Sequence, residues 1–162
     1  MKKPLIIKFD GVLSSASIPE TIHTSESTVN IHDLEALSLL CEDYDVYIFR
    51  NVKYMSDNIN LNETLISDYV SDNYILYDSY EYLKHCVENI ISSFEDNNNG
   101  DLSIFVGCTD EDVKLVNELC LRERSNIYGP VDSSFRFREC TDVTLGVKGG
   151  EGVLSELEPM LF

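Results

Sequence analysis

The chain has 162 residues, the length of one domain with room for a core; 43% hydrophobic and 10% aromatic content exclude a disordered chain. A formal net charge of −17 argues against non-specific binding to nucleic acid or an acidic membrane, and for a solvated acidic surface, a basic partner or polyanion mimicry. Five cysteines without a C-x-x-C pair, no long apolar run, and a start (MKKPLIIKFDG) that turns polar too soon for a signal peptide predict a cytoplasmic protein with reduced thiols and no transmembrane helix.

In chain order, 5–9 (LIIKF) is an apolar run of strand length that leaves the core at Asp10-Gly11. Residues 14–29 are polar, contain Pro19 and read as a loop or flap hairpin; 29–31 reads as a short strand. Leu34, Leu37 and Leu40 or Cys41 recur at helical spacing in 33–42 after an acidic start. The run 45–49 (DVYIF) is a strand ending in Arg50-Asn51. Residues 52–69 read as one or two short helices, 74–77 as a strand, and 80–94 as a helix with Leu83, Val87, Ile90, Ile91 and Phe94 on one face. A polar surface loop over 95–101 precedes strand 102–106 (LSIFV), and a helix follows to about residue 121, with Thr109 and Asp112 spaced as a capping box. A short strand at 127–128, a helical turn over 133–139 and a strand over 143–145 lead to the glycine turn 149–152. The terminal helix beyond it carries Val153, Leu154, Leu157 and Leu161 on one face. Strands alternating with helices predict a single α/β domain over 1–162 around a mostly parallel sheet.

Four segments carry a family resemblance. LIIKFDGVLS (5–14) is similar to the opening motif of the haloacid-dehalogenase (HAD) superfamily, a hydrophobic run followed by D-x-D-G-(T/V)-L. DVYIF, IFVGCTDEDVKLVNE (104–118) and TDVTLGVKGGEGVLSELEPML (141–161) follow in the order seen in its small phosphatases of the 3-deoxy-manno-octulosonate 8-phosphate type. The same domain is fused to some acylneuraminate cytidylyltransferases. The resemblance implies a three-layer, HAD-like (Rossmannoid) sandwich with no large cap. It implies tetramers in which 14–29 and 149–162 help form a neighbour's site. It also implies Mg²⁺-dependent phosphoryl transfer through a nucleophilic Asp, an acid/base Asp two residues later, a phosphate-binding Ser or Thr, a Lys, and an acidic G-D-D-x-x-D motif.

The chemistry departs from that pattern. Lys8 occupies the nucleophile position, where an ammonium cannot form an aspartyl-phosphate. Asp10 keeps the acid/base position and Gly11 the turn. Arg50 takes the Ser/Thr position, followed by Asn51; Lys84 lies in the window of the third-motif Lys, one residue off register, and reads equally as a solvated helix lysine. Cys108 and Thr109 replace the two central carboxylates of the fourth motif, Asp112 alone stands in register, and Asp110 or Glu111 would serve only by a register shift.

These changes admit two readings of the pocket. Lys8 beside Asp10 and Asp112 supplies internally the positive charge a metal would bring, a repair of buried carboxylates. Alternatively, Lys8 and Arg50 keep an anion site that holds phosphate or a carboxylate without cleaving it. Cys108 stands at a helix N-terminus, where a thiol pKa can fall, but without a His nearby it reads as a small buried residue. His23, His32 and His85 lack metal-ligand spacing.

Three functions follow. The first is a catalytically inactive phosphatase homologue serving as an oligomerisation or binding module, with no cofactor. The second is a phosphosugar phosphatase with unconventional residues, for which Mg²⁺ would be needed and Asp10 and Asp112 are the weak ligand candidates. The third is an acidic inhibitor built on the same scaffold. A homo-oligomer, tetrameric by resemblance, and a protein partner are expected; direct nucleic-acid binding and membrane association are not.

Overall fold

The computed structural model describes residues 2–14, 29–55, 61–96 and 101–161. Six strands form one sheet: β1 (Lys3–Lys8), β2 (Tyr44–Asn51), β3 (Tyr74–Tyr77), β4 (Ser103–Val106), β5 (Ser125–Gly129) and β6 (Val143–Thr144). Their order is β3-β2-β1-β4-β5-β6, and every neighbouring pair is parallel. The helices are α1 (Ile31–Asp43), α2 (Leu61–Val70), α3 (Tyr80–Glu95), α4 (Asp110–Glu118), α5 (Leu121–Arg124), α6 (Phe135–Cys140) and α7 (Val153–Leu161).

A central parallel strand is covered on both faces and so needs an unbroken apolar run. Leu5, Ile6 and Ile7 supply it, each fully buried. Side chains alternate across the sheet, so Leu5 and Ile7 enter one core with Leu37 and Leu40 of α1 and Val153, Leu154 and Leu157 of α7. Ile6 enters the other core with Leu83 and Val87 of α3, Leu115 of α4 and Phe137 of α6. Burying one such aliphatic side chain is worth about 1.5–3 kcal/mol, so these two cores set the position of β1 and hence of everything at its end. The strand order reverses between β1 and β4. Their carboxyl ends therefore open onto the crevice where such sheets bind ligands.

Two local expectations are corrected. Residues 29–31 are not a strand: Asn30 Oδ1 accepts from the His32 N–H (2.8 Å), and Ile31 is the first residue of α1. A side-chain acceptor placed to satisfy an otherwise unpaired amide outweighs the β-propensity of two branched residues. The helix after β4 stops at Glu118; Cys120 then takes a left-handed conformation (φ 55°), and α5 begins at Leu121. Over 52–69 the expected short helices are present: among the described residues, a turn of 3-10 helix at Val52–Tyr54 and most of α2. The expected flap lies outside the described residues over 15–28.

The tail is packed as its pattern predicts. Val153, Leu154 and Leu157 are fully buried, and the half-buried Leu161 joins the same core. Asp33 of α1 accepts from the backbone N–H (3.1 Å) and hydroxyl (3.3 Å) of Ser155, tying the first turn of α7 to α1. Among the described residues, no helix is long and apolar enough to cross a membrane.

Candidate functional site

The chain leaves β1 after Lys8 and turns through Asp10 and Gly11, whose φ of 82° lies in the left-handed region open to glycine. The tail closes over this turn. A side chain at Gly149 would collide with the Gly11 carbonyl. The Gly150 N–H donates to Val12 O (2.9 Å), and the Gly149 N–H to Asp132 Oδ1 (3.0 Å).

Across the crevice, Thr109 caps α4. The Asp112 N–H donates to Thr109 Oγ1 (3.3 Å), while Asp112 Oδ2 accepts from the Thr109 N–H (3.1 Å) and the Cys108 N–H (2.9 Å). The capping box read from the sequence is present. It fixes a fully buried carboxylate with its second oxygen, Oδ1, facing β1.

Lys8 meets it there. Its Nζ lies 2.9 Å from Asp112 Oδ1 and 3.2 Å from Glu111 Oε1, and the residue is only 3% exposed. Tyr77, the last residue of β3, donates its hydroxyl to the same Glu111 oxygen (2.8 Å) and sets its ring 5.1 Å from Lys8 Nζ. Burial by itself would depress the Lys8 pKa, but the charge of Asp112, with Glu111 adding to it, outweighs burial and holds the group well above the ordinary lysine value of 10.5. The ammonium is therefore charged and held from three sides.

Asp10 is not a direct partner of Lys8. Its Oδ2 accepts from the Asn51 N–H (3.0 Å), and its carbonyl accepts from the Cys108 thiol (3.3 Å). Burial pushes Asp10 above the ordinary carboxylate range, against the pull of Asn51, Arg50 and Lys8. Burial likewise pushes Cys108 well up, with Asp112 adding to it. The helix terminus does not activate this thiol; it is a small buried hydrogen-bond donor.

Lys8 and Arg50, grouped as an anion site in the sequence reading, lie on different faces of the sheet. Arg50, 1% exposed, has its guanidinium 4.2 Å from the ring centre of Phe9. Along β2, Ile48 belongs to the core that Leu5 and Ile7 enter and Phe49 to the opposite one, so the alternation carries Arg50 to the Ile48 side. Lys8 follows Ile6 to the other side. The two cations approach from different faces of the sheet, and both act on Asp10. Lys84 is also outside the cluster: its Nζ pairs with Glu118 Oε1 at 2.9 Å, with both side chains 34% exposed. Asn51 caps its own turn, its Oδ1 accepting from the Lys53 N–H (3.1 Å).

A hard divalent cation does not fit these donors. Of the ligands the resemblance implies, the first is an ammonium, the Asp10 carbonyl receives the Cys108 thiol, and both Asp112 oxygens are engaged. Among the described residues, no group of three His, Cys, Asp or Glu side chains is placed to hold a metal. Tyr77 is the member that sequence reasoning missed; that reasoning weighs Glu111 only as a metal ligand by a register shift, not as a partner of Lys8. Glu111 lies on the helix, as expected, yet its side chain is long enough to reach Lys8. Tyr77 reaches the site only because β3 adds to the sheet beyond β2.

No family model matches the chain, and no curated protein does. Solved structures do. The cobalt-bound deoxy-D-mannose-octulosonate 8-phosphate phosphatase from Haemophilus influenzae matches at 16% identity and TM-score 0.67, over 99% of this chain and 86% of that one. The 3-deoxy-D-manno-octulosonate 8-phosphate phosphatase from Moraxella catarrhalis, in complex with magnesium, phosphate and a KDO molecule, matches at 16% and 0.67, over 99% and 85%. A putative HAD superfamily (subfamily III A) hydrolase from Legionella pneumophila matches at 18% and 0.69, over 99% and 81%. At these identities the likeness is one of fold, and the fold of this chain is that of the HAD phosphatases.

Proposed function

We propose that the chain is a non-catalytic relative of the HAD phosphatases, whose former metal pocket is closed by Lys8 and whose role is binding or assembly. The observation that carries this is the buried Lys8–Asp112 contact at 2.9 Å. Covalent phosphoryl transfer needs a carboxylate nucleophile and a divalent cation to gather substrate oxygens. Here the nucleophile position carries the cation itself, and that cation is already neutralised by Asp112 and Glu111. Oligomerisation fits the exposed apolar side chains of Ile31, Leu39, Leu65, Tyr69 and Leu76 on α1, α2 and the β3 edge.

The test is an assay on phosphosugars, nucleotides and p-nitrophenyl phosphate with Mg²⁺ present. No turnover above background is expected. Lys8→Asp alone should not create any, because Cys108 and Thr109 still leave the fourth motif without its central carboxylates. Turnover by the wild type that disappears in Asp10→Ala would overturn the reading in favour of a phosphatase with unconventional residues.

A further inference from the structure

The charge of this chain is unevenly spread. Residues 29–82 hold eleven acidic against two basic residues, whereas 121–148 hold four acidic against five basic. The second stretch contains four of the chain's five arginines. One of them, Arg124, is spent on Glu88 and Glu95 of α3. Arg122, Arg136 and Arg138 are exposed, and none has an ion-pair partner among the described residues.

These three lie on or beside α6, whose first residue is an exposed aromatic ring. Phe135, the first residue of α6, is 68% exposed, the most exposed of the large apolar side chains among the described residues. Arg138 lies one turn along the same helix, with its guanidinium 6.0 Å from the Phe135 ring centre. Arg122 reaches the other end of α6, its Nη2 donating to Glu139 O (3.5 Å). The patch is held in place from below: Phe137 is fully buried, Ser134 caps α6, and the Ser134 N–H donates to Cys108 O (2.9 Å).

We infer that the α6 face is a docking site for a short acidic segment of a partner protein carrying an apolar residue to cover Phe135. Arginines beside an exposed ring make a surface for carboxylates, because the guanidinium binds them in a fork and desolvates cheaply next to an aromatic. A short segment fits and a long polyanion does not: beyond the patch, a surface with a net charge of −17 repels it. The inference names a partner class for the binding role proposed above. It stands on residues outside the Lys8 pocket, so an active phosphatase would remove that reading and leave this one in place.

Fluorescence anisotropy of the full chain with a labelled Glu/Asp peptide bearing a central leucine tests it, with a lysine peptide and an oligothymidylate of matched length as competitors. The acidic peptide should bind with an affinity that falls as salt rises. Phe135→Ala and the pair Arg136→Gln with Arg138→Gln should each weaken it about tenfold, with unchanged melting curves. Reversing the pair to Arg136→Glu with Arg138→Glu should abolish acidic-peptide binding while the melting curve stays that of the wild type, an outcome a merely unfolded variant cannot produce. Absence of binding to the wild type would overturn the inference. So would oligothymidylate binding as tightly as the peptide, or a change in the protein's own oligomeric state in these variants, which would make the occupant a second copy.

Discussion

Lys8 and Arg124 each hold two carboxylates, yet they stand in opposite relations to water. The Lys8 and Asp112 side chains are 4% and 0% exposed. Arg124 is 19% exposed, and its partners Glu88 and Glu95 are 41% and 38% exposed. Arg124 makes the larger number of contacts: a fork onto Glu95 at 2.7–3.2 Å, another onto Glu88 at 2.7 and 3.3 Å, and a bond to Leu119 O at 3.0 Å. By hydrogen bonds alone it would be ranked the stronger site. Desolvation reverses the order of dependence. Remove Arg124 and water takes over both glutamates; remove Lys8 and a carboxylate is left buried without a counter-charge.

The largest expected effect follows from that asymmetry. Lys8→Ala should lower stability by about 3–5 kcal/mol, read from urea unfolding. Combining Lys8→Met with Asp112→Asn should recover most of the loss, since it removes the buried charge while leaving an acceptor for the Cys108 and Thr109 amides. If the double variant is no better than the single one, packing around the lysine stem rather than charge pairing holds the pocket. Arg124→Ala should cost about 1 kcal/mol, and raising the salt concentration to 1 M should shrink that cost while leaving the Lys8 effect nearly unchanged.

pH separates the sites further. The folded-state pKa of Lys8 is raised, so its contribution is complete below the ordinary lysine value of 10.5 and is lost only as pH rises through the folded value. The stability gap between wild type and Lys8→Ala should therefore stay level from neutral to about pH 10 and close only beyond it. A gap that closes between pH 7 and 9 would mean that the ammonium is not held by its carboxylates. The smallest expected effect is none: millimolar Mg²⁺ should leave the wild-type melting temperature where it is, since only a ligand of the native state raises it. A clear rise would reopen the metal-dependent reading.

Much of this was legible in the sequence because it depends on neighbours along the chain. The capping box of Thr109 and Asp112 is a local pattern, and it delivered the buried carboxylate. The alternation of 5–9 and the apolar face of 153–161 are equally local. Lys8 against Asp112 required only the assumption that the first and fourth motifs meet, which the parallel order β1-β4 provides. What was not legible depends on direction across the sheet. Arg50 was grouped with Lys8 because both end strands, but pairing Lys8 with Phe49 in register sends Arg50 to the opposite face. Tyr77 carried no chemical signal of its own; it matters because a hydroxyl on the third strand reaches a glutamate on a helix beyond the first. Lys84 was drawn to the site by spacing, and an exposed glutamate one helix away holds it elsewhere.

The closing of the tail over Gly11 also bears on how the chain is made. β1 is synthesised before either of its sheet neighbours, and the segment that seals its turn follows both of them. Until β2 and β4 have been made, therefore, Leu5-Ile6-Ile7 is an unpaired apolar strand of the kind that seeds aggregation. Lys2 and Lys3 before it and Lys8 after it bracket that strand with like charges, and charges at the flanks of a hydrophobic strand oppose its stacking on copies of itself. The lysine that ends buried against Asp112 thus protects the nascent chain before its carboxylate partner exists.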